Sequence, residues 1–193
     1  MTLDQLISIM VTGQVRCALF YPFLIEGMAT NDITTVARQV CFLATIGHES
    51  GSLRYTSEIW GPTPAQEGYE GRADLGNTQP GDGSRFRGRG LIQITGRDNY
   101  QQVSDALGYD YLADPERLGR PRDASLSAAW WFKAHGCNAL ADTKGFVAVT
   151  RRVNGGLNGW ASRQLYYARA VNELGKPDFS NVESGVDTTA PQQ

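Results

Sequence analysis

Ala44-Thr45-Ile46-Gly47-His48-Glu49-Ser50-Gly51 ends an apolar helical pattern, begun at Val36, Val40 and Leu43, on a carboxylate followed by Ser-Gly. A helix whose apolar face is buried and whose last residue is Glu places that side chain at the lip of a cleft. There it is half desolvated, and its pKa can rise. Nine positions on stands Glu58, which a turn through Ser50-Gly51-Ser52 brings across a groove from Glu49.

Outward from this stretch the periodicity is helical. Leu3, Leu6, Ile7 and Met10 form one window, Val103 and Leu107 another, and Leu126, Ala129, Trp130 and Phe132 a third between Asp123 and Gly136. Further helices are expected at 146–153 and 160–174. Asn31 or Asp32, Asp123 and Asn158 stand as N-caps, and Gly108, Gly136 and Gly175 as stops. Residues 61–90, with eight glycines and three prolines, form a long loop of the kind that carries function. Leu91, Gln93 and Thr95 alternate with Ile92 and Ile94 as in a short half-buried strand that shows Gln93 and Thr95 to a ligand. The expected fold is mainly α, one domain over 1–177 with a small β-hairpin or irregular region beside the cleft, and a polar tail over 178–193.

Composition excludes several classes. The 193 residues hold no apolar run of the roughly 18 residues that span a bilayer, and Met1–Met10 lacks the basic start of an export signal. No stable membrane insertion and a cytoplasmic origin are expected. Cys17, Cys41 and Cys137 sit among apolar neighbours and read as buried thiols. His48 and His135 are the only histidines and show no metal-ligand spacing, so a metal-free, cofactor-free chemistry is favoured over a zinc amidase or peptidase. Residues 85–175 carry thirteen basic against eight acidic side chains, whereas 1–84 carry four against nine. The basic residues are scattered and the pI is about 5.7, which argues against nucleic acid as partner. Arg85, Arg87 and Arg89 lack the rest of a phosphate loop.

Glycosidic hydrolysis needs an acid for the leaving oxygen and a second carboxylate. Glu49 and Glu58 are the best pair, with Glu67, Glu70 and Asp74 open as alternatives to Glu58. Tyr55, Trp60, Tyr69 and Tyr100, near the loop, are candidates to stack on sugar faces, whereas Trp130, Trp131 and Phe132 read as core. His48 reads as a residue that packs near or orients the helix end.

His48-Glu49-Ser50-Gly51, Gly88-Arg89-Gly90-Leu91-Ile92-Gln93-Ile94-Thr95-Gly96 with Asn99-Tyr100, Ala128-Ala129-Trp130-Trp131-Phe132 and Val153-Asn154-Gly155-Gly156-Leu157-Asn158-Gly159 together resemble glycoside hydrolase family 19, in the family's order, over about 36–174. Gly81-Asp82-Gly83 ahead of the Arg-Gly-Arg-Gly run is similar to the bacteriophage endolysins of that family rather than to plant chitinases. The resemblance implies a lysozyme-like α fold and an inverting, metal-free reaction. Glu49 would be the general acid and Glu58 the general base, roughly 6.5–9.5 Å apart, with Thr95 holding the attacking water. Gln93, Tyr100 and Asn154 would bind the sugar chain, with Trp60 a stacking candidate from its place near the loop, and Arg163 would tune the carboxylates. Asn158 stands where plant members often carry Glu, so the network around Arg163 must differ. The activity implied is cleavage of β-1,4 bonds between N-acetylmuramic acid and N-acetylglucosamine in peptidoglycan strands by a monomeric endolysin. It would leave the bacterial cytoplasm for the wall when a holin opens the membrane. A chitinase and a non-catalytic wall-sugar binder are the rival readings.

Overall fold

Residues 1–178 are described by a computed structural model, and the expected tail lies, apart from Asp178, outside them. Helix α1 (Leu3–Met10) starts on a reciprocal cap, Thr2 accepting from the Gln5 amide and Gln5 from that of Thr2. Helix α2 (Gln14–Thr30) had no counterpart in the periodicity. Pro22 sits in its interior and apolar residues occur all round it, which hides the 3.6-residue pattern. The missing N–H of Pro22 falls on exposed Ala18, whose carbonyl water can reach. Helix α3 (Val36–Glu49) is capped by Thr35 rather than Asn31 or Asp32, because the chain first turns at Asp32, at φ 56°.

Two very short helices, α4 (Pro64–Glu67) and α5 (Asp82–Arg85), and a 3₁₀ turn at Ala73–Leu75 organise the expected long loop. Then come α6 (Arg97–Leu107), ended by Gly108, a 3₁₀ turn at Pro115–Gly119, and α7 (Pro121–Ala134). Asp123 does not cap α7. It lies inside the first turn, buried, where Tyr111 donates to it at 2.5 Å. Helix α8 (Cys137–Thr143) was unforeseen, since Gly136 both stops α7 and starts it. Helices α9 (Gly145–Asn154) and α10 (Trp160–Leu174) lie where expected, although Gly159 and not Asn158 precedes α10.

The largest packings are α3 on α10 and α2 on α7. Each uses a glycine for close approach: a Cβ on Gly47 would lie 2.6 Å from the Tyr166 ring, and one on Gly27 3.0 Å from Ala129 Cβ. One core runs through α1, α2, α3, α7, α8 and α9 and includes Phe42 edge-on to Phe132 and all three free cysteines. A smaller cluster of Phe86, Ile94, Tyr100, Val103, Tyr111 and Leu118 lies under the irregular region. No single helix among the described residues is long and apolar enough to cross a membrane.

The expected strand over 91–95 does not form. Arg89 instead pairs once with Ser57 and once with Ile94, as isolated bridges. Gln93 turns at φ 58°, so the two-residue alternation fails and Leu91 is buried as well as Ile94, each in a different cluster. A left-handed residue cannot continue an extended ladder.

Candidate active site

Two clusters of polar side chains hold the candidate residues, one around Glu49 and one around Glu58. The first is built on the end of α3. Ser50 Oγ donates to the Ile46 carbonyl at 2.6 Å and accepts from the Leu53 amide at 2.8 Å, and Gly51, Ser52 and Leu53 all have positive φ. Buried Leu53 and a bond between Ser52 Oγ and the Tyr166 hydroxyl, 2.7 Å, hold this sharp turn. Because Gly47 lets α10 approach, Arg163 reaches Glu49: its Nη2 donates to Oε1 at 2.5 Å, and its Nε to the Asn158 carbonyl at 3.1 Å. Arg163 is 2% exposed and its Nη1 has no partner, while the Glu49 side chain is 21% exposed. No hydrogen bond among the described residues falls on Glu49 Oε2. Asn154 donates to the same Asn158 carbonyl at 3.2 Å. Asn158 thus contributes through its backbone, which needs no glutamate side chain.

His48 packs under Gly159 and shares a 3.0 Å bond with Ser162, as a residue that orients the helix end. Burial, then the charge of Arg163, holds its pKa below the ordinary value against the pull of Glu49.

The second cluster is built on the bridges around Arg89. The Glu58 amide donates to the Gly88 carbonyl at 2.8 Å, and the Gly88 amide returns a bond to Glu58 Oε2 at 3.0 Å. Gln66 donates to Oε1 at 3.0 Å and the Tyr69 hydroxyl reaches it at 3.5 Å. Burial, then the Glu58 charge, raises the Tyr69 pKa. Trp60 lies beside Tyr69, ring centroids 6.1 Å apart. The vacant Cβ position of Gly88 is ringed by Gln93 Oε1 at 2.7 Å, Thr95 Oγ1 at 3.3 Å and Glu58 Oε2 at 3.4 Å. Glu58, Gln93 and Thr95 therefore converge on one small volume.

The alternatives to Glu58 are engaged elsewhere or stand apart. Glu70 accepts the Gly81 and Gly83 amides at 2.6 and 2.8 Å, Asp74 pairs with Arg72, and Glu67 is exposed on α4.

A pocket of about 220 Å³ is lined by Ile92, Gln93, Thr95, Asn99, Trp131 and Val153; it takes in Gln93 and Thr95 of the second cluster, and Val153 directly precedes Asn154 of the first. Trp131 is thus not pure core. It stacks on His135 at 3.8 Å with part of its surface on the pocket.

Tyr100 corrects the sequence reading. It has no exposed surface, its hydroxyl donates to the Arg87 carbonyl and accepts from Arg89, both at 2.7 Å, and burial pushes its pKa up to about 12. It supports the site from below and cannot touch a sugar in the groove. Arg89, also without exposed surface, ties the Arg85 carbonyl, Tyr100 and Glu116 together, and Arg87 joins Glu116 at 3.0 Å. The Arg-Gly-Arg-Gly run is an internal brace.

Gln66 was missed. The pattern Thr63-x-x-Gln66 is a capping box, and its Oε1 accepts from the Thr63 and Gly61 amides, which aims its Nε2 at Glu58. Among the described residues no group of three or more His, Cys, Asp or Glu side chains is placed to hold a metal ion.

The model of the class I chitinase family matches residues 24–151. A glycosyl hydrolase family 19 domain-containing protein of Haemophilus influenzae is 37% identical over 164 residues, covering 70% of this chain and 80% of its own. An Arabidopsis thaliana endochitinase is 35% identical over 164 residues, covering 81% of this chain and 56% of its own. This chain spans about half the length of the plant relatives. Among solved structures, chitinase C from Streptomyces griseus superposes with a TM-score of 0.74 at 22% identity, covering 91% of this chain and 93% of its own. The mainly α, lysozyme-like fold is therefore the one this sequence adopts. With the family model spanning most of the chain and a bacterial relative matched along most of its length, this protein belongs to glycoside hydrolase family 19 and is a chitinase-like glycosidase.

Proposed function

We propose that this glycosidase is an endolysin that hydrolyses the β-1,4 bonds between N-acetylmuramic acid and N-acetylglucosamine in peptidoglycan. Glu49 protonates the leaving oxygen through Oε2, the oxygen that Arg163 leaves unbound. Glu58, oriented by Gln66 and Gly88, takes a proton from a water that the Thr95 hydroxyl helps to hold. That water attacks the anomeric carbon from the face opposite the leaving group, so the configuration inverts. Such a site needs the carboxyl groups roughly 6.5–9.5 Å apart. Gln93, Asn154 and Trp60 bind flanking sugars. The enzyme acts as a monomer without metal or cofactor. It is made in the host cytoplasm and meets the wall after a holin opens the membrane.

The choice of polymer rests on charge. Exposed Arg151 and Arg152 occupy the last turn of α9, directly before Val153 and Asn154 at the groove. Peptidoglycan carries carboxylates on its peptide stems and chitin carries none. The reading that this enzyme is a chitinase is favoured by its similarity to plant endochitinases. Reducing ends released from purified peptidoglycan and from chitin, with the mass of the muropeptides formed, decide between them. Glu49→Gln is expected to keep binding the wall while its clearing of permeabilised cells falls about a hundredfold or more. Equal clearing by variant and wild type refutes the catalytic assignment and leaves a wall-sugar binder.

A further inference from the structure

A second pocket, of about 300 Å³, lies between the start of α9 and the first two turns of α10. Its wall is aromatic. Phe146 stacks on Tyr167 at 4.6 Å and 12° and on Trp160 at 5.6 Å and 29°, so three rings stand nearly parallel. Trp160, Gln164 and Tyr167 share one face of α10, about a quarter-turn round from Arg163 and Tyr166, which meet α3. Phe146 is buried, whereas Trp160 and Tyr167 are only half-buried and Lys144 and Gln164 at the rim are exposed.

The polar groups here have no protein partners. Neither the Trp160 indole N–H nor the Tyr167 hydroxyl makes a hydrogen bond within the described residues, and neither atom is sealed from solvent. The Lys144 ammonium and the Gln164 amide likewise make no ion pair or hydrogen bond there. Aromatic faces edged by free donors and an amide suit a ligand with apolar C–H faces and polar edges, which describes an N-acetylated sugar ring. Trp160 directly follows Gly159, the end of the Asn154–Gly159 loop whose Asn158 carbonyl accepts from the Arg163 that holds Glu49.

We propose that the pocket between α9 and α10 is a second, non-catalytic glycan-binding site that takes one N-acetylhexosamine ring of the polymer. The inference rests on the glycan-hydrolase reading of the groove only for the class of ligand, and its test is separable. It would hold an insoluble strand near the groove without touching the scissile bond, which raises effective concentration and leaves turnover of a short soluble chain alone.

The test is amide chemical-shift mapping of the Glu49→Gln protein with two probes, the hexasaccharide of N-acetylglucosamine and peptide-free peptidoglycan strands. A saturable set of shifts at Lys144–Val147, Gln164 and Tyr167, separate from a groove set at Gly88–Thr95, is expected with at least one probe, and the probe that gives it names the source. Trp160→Ala should abolish the second set. The exposed pair Lys144→Ala with Gln164→Ala, which leaves the core alone, should weaken it about fivefold. In the active protein that same pair should slow insoluble wall clearing about fivefold and leave hexasaccharide hydrolysis within twofold. Shifts confined to the groove with both probes, or equal slowing on soluble and insoluble substrate, overturn the proposal. Loss of the groove set or of hexasaccharide turnover sinks the catalytic reading instead, and the shifts at Lys144–Val147 still decide this one.

Discussion

Gly88→Ala is the smallest change that probes the general-base side of the groove. An added Cβ would stand 2.7 Å from Gln93 Oε1, about 0.7 Å inside the edge of ordinary contact, and also close to Thr95 Oγ1 and Glu58 Oε2. Gly88 does not have positive φ, so alanine suits its backbone and the effect is steric. Gln93 must yield, and its Nε2 bond to the Gly90 carbonyl, 2.9 Å, then weakens, at about 1 kcal/mol. Crowding by one methyl adds about 1 kcal/mol. Together they should lower the melting temperature by about 4–8 °C in a chain of this length. Activity should fall much further. The methyl enters the volume that Glu58, Gln93 and Thr95 enclose, and a displacement of about 1 Å at a reacting group costs about a hundredfold in rate. Hydrolysis of a soluble oligosaccharide, measured beside thermal unfolding, separates the two effects. A variant that melts as expected yet retains kcat/KM within threefold refutes the placement of the attacking water against Gly88.

Gly47→Ala places a Cβ 2.6 Å from the Tyr166 ring. It should push α10 from α3 and draw Arg163 off Glu49, lowering turnover tenfold or more, with recovery when Tyr166→Leu is added. Stability should fall by about 1 kcal/mol, since crowding of the α3–α10 contact costs about 1–3 kcal/mol and helix propensity returns about 1 kcal/mol of it. The Asp82 carboxyl is held below its ordinary value by the Arg97 hydrogen bond, against burial. A folded-state pKa below the unfolded one contributes stability above about pH 4, and that contribution is lost as pH falls through the folded value. Urea midpoints should therefore drop below about pH 4. Arg97→Met strands a buried carboxylate, removing about 3 kcal/mol at pH 7 and reversing the sign of that dependence. Arg89→Met should cost about 2–4 kcal/mol by denaturant melts, since it removes the donors to Arg85, Tyr100 and Glu116 together.

The helices that position the acid were legible because each has a clear apolar face and a stop: α3 ends on Glu49 and α10 runs over 160–174 as the periodicity requires. What stayed hidden has local causes. Pro22 and an apolar surface on several sides concealed α2. Caps were misplaced where a polar residue had a stronger tertiary partner, as Asp123 has in Tyr111. The strand at 91–95 failed because alternation over five residues cannot reveal a left-handed Gln93. Tyr100 looked like a sugar platform from its place near the loop. Only the buried Arg89, which sequence presents as one more surface cation, shows why its hydroxyl points inward. The convergence of Glu58, Gln93 and Thr95 was accessible only as a family resemblance, because it depends on the missing side chain of Gly88.

The two carboxylates are held by different means, and this bears on how the site can vary. Glu49 is fixed by regular structure: the last turn of α3, the close contact of Gly47 with α10, and a buried Arg163 on the same helix pair. Changing that side disturbs the main core. Glu58 is fixed by an irregular segment whose order comes from side-chain bonds, namely Gln66 on Glu58, Glu70 on the Gly81 and Gly83 amides, Arg97 on Asp82 and Arg89 on Glu116. These bonds lie outside the α3–α10 packing that holds Glu49, so residues 58–90 can be altered while Glu49 stays in place, at a cost in stability wherever Asp82 or Arg89 loses its partner. With the proposed acid fixed by the main core and the proposed base on a separate loop, the polymer accepted can be changed by altering the loop alone. In this chain that loop presents Trp60 and Tyr69 beside Glu58, and the exposed arginines of α9 come directly before Val153 of the pocket lining. On the function proposed above, selection between a neutral and a carboxylate-bearing strand would fall to these side chains, with the carboxylate pair common to both.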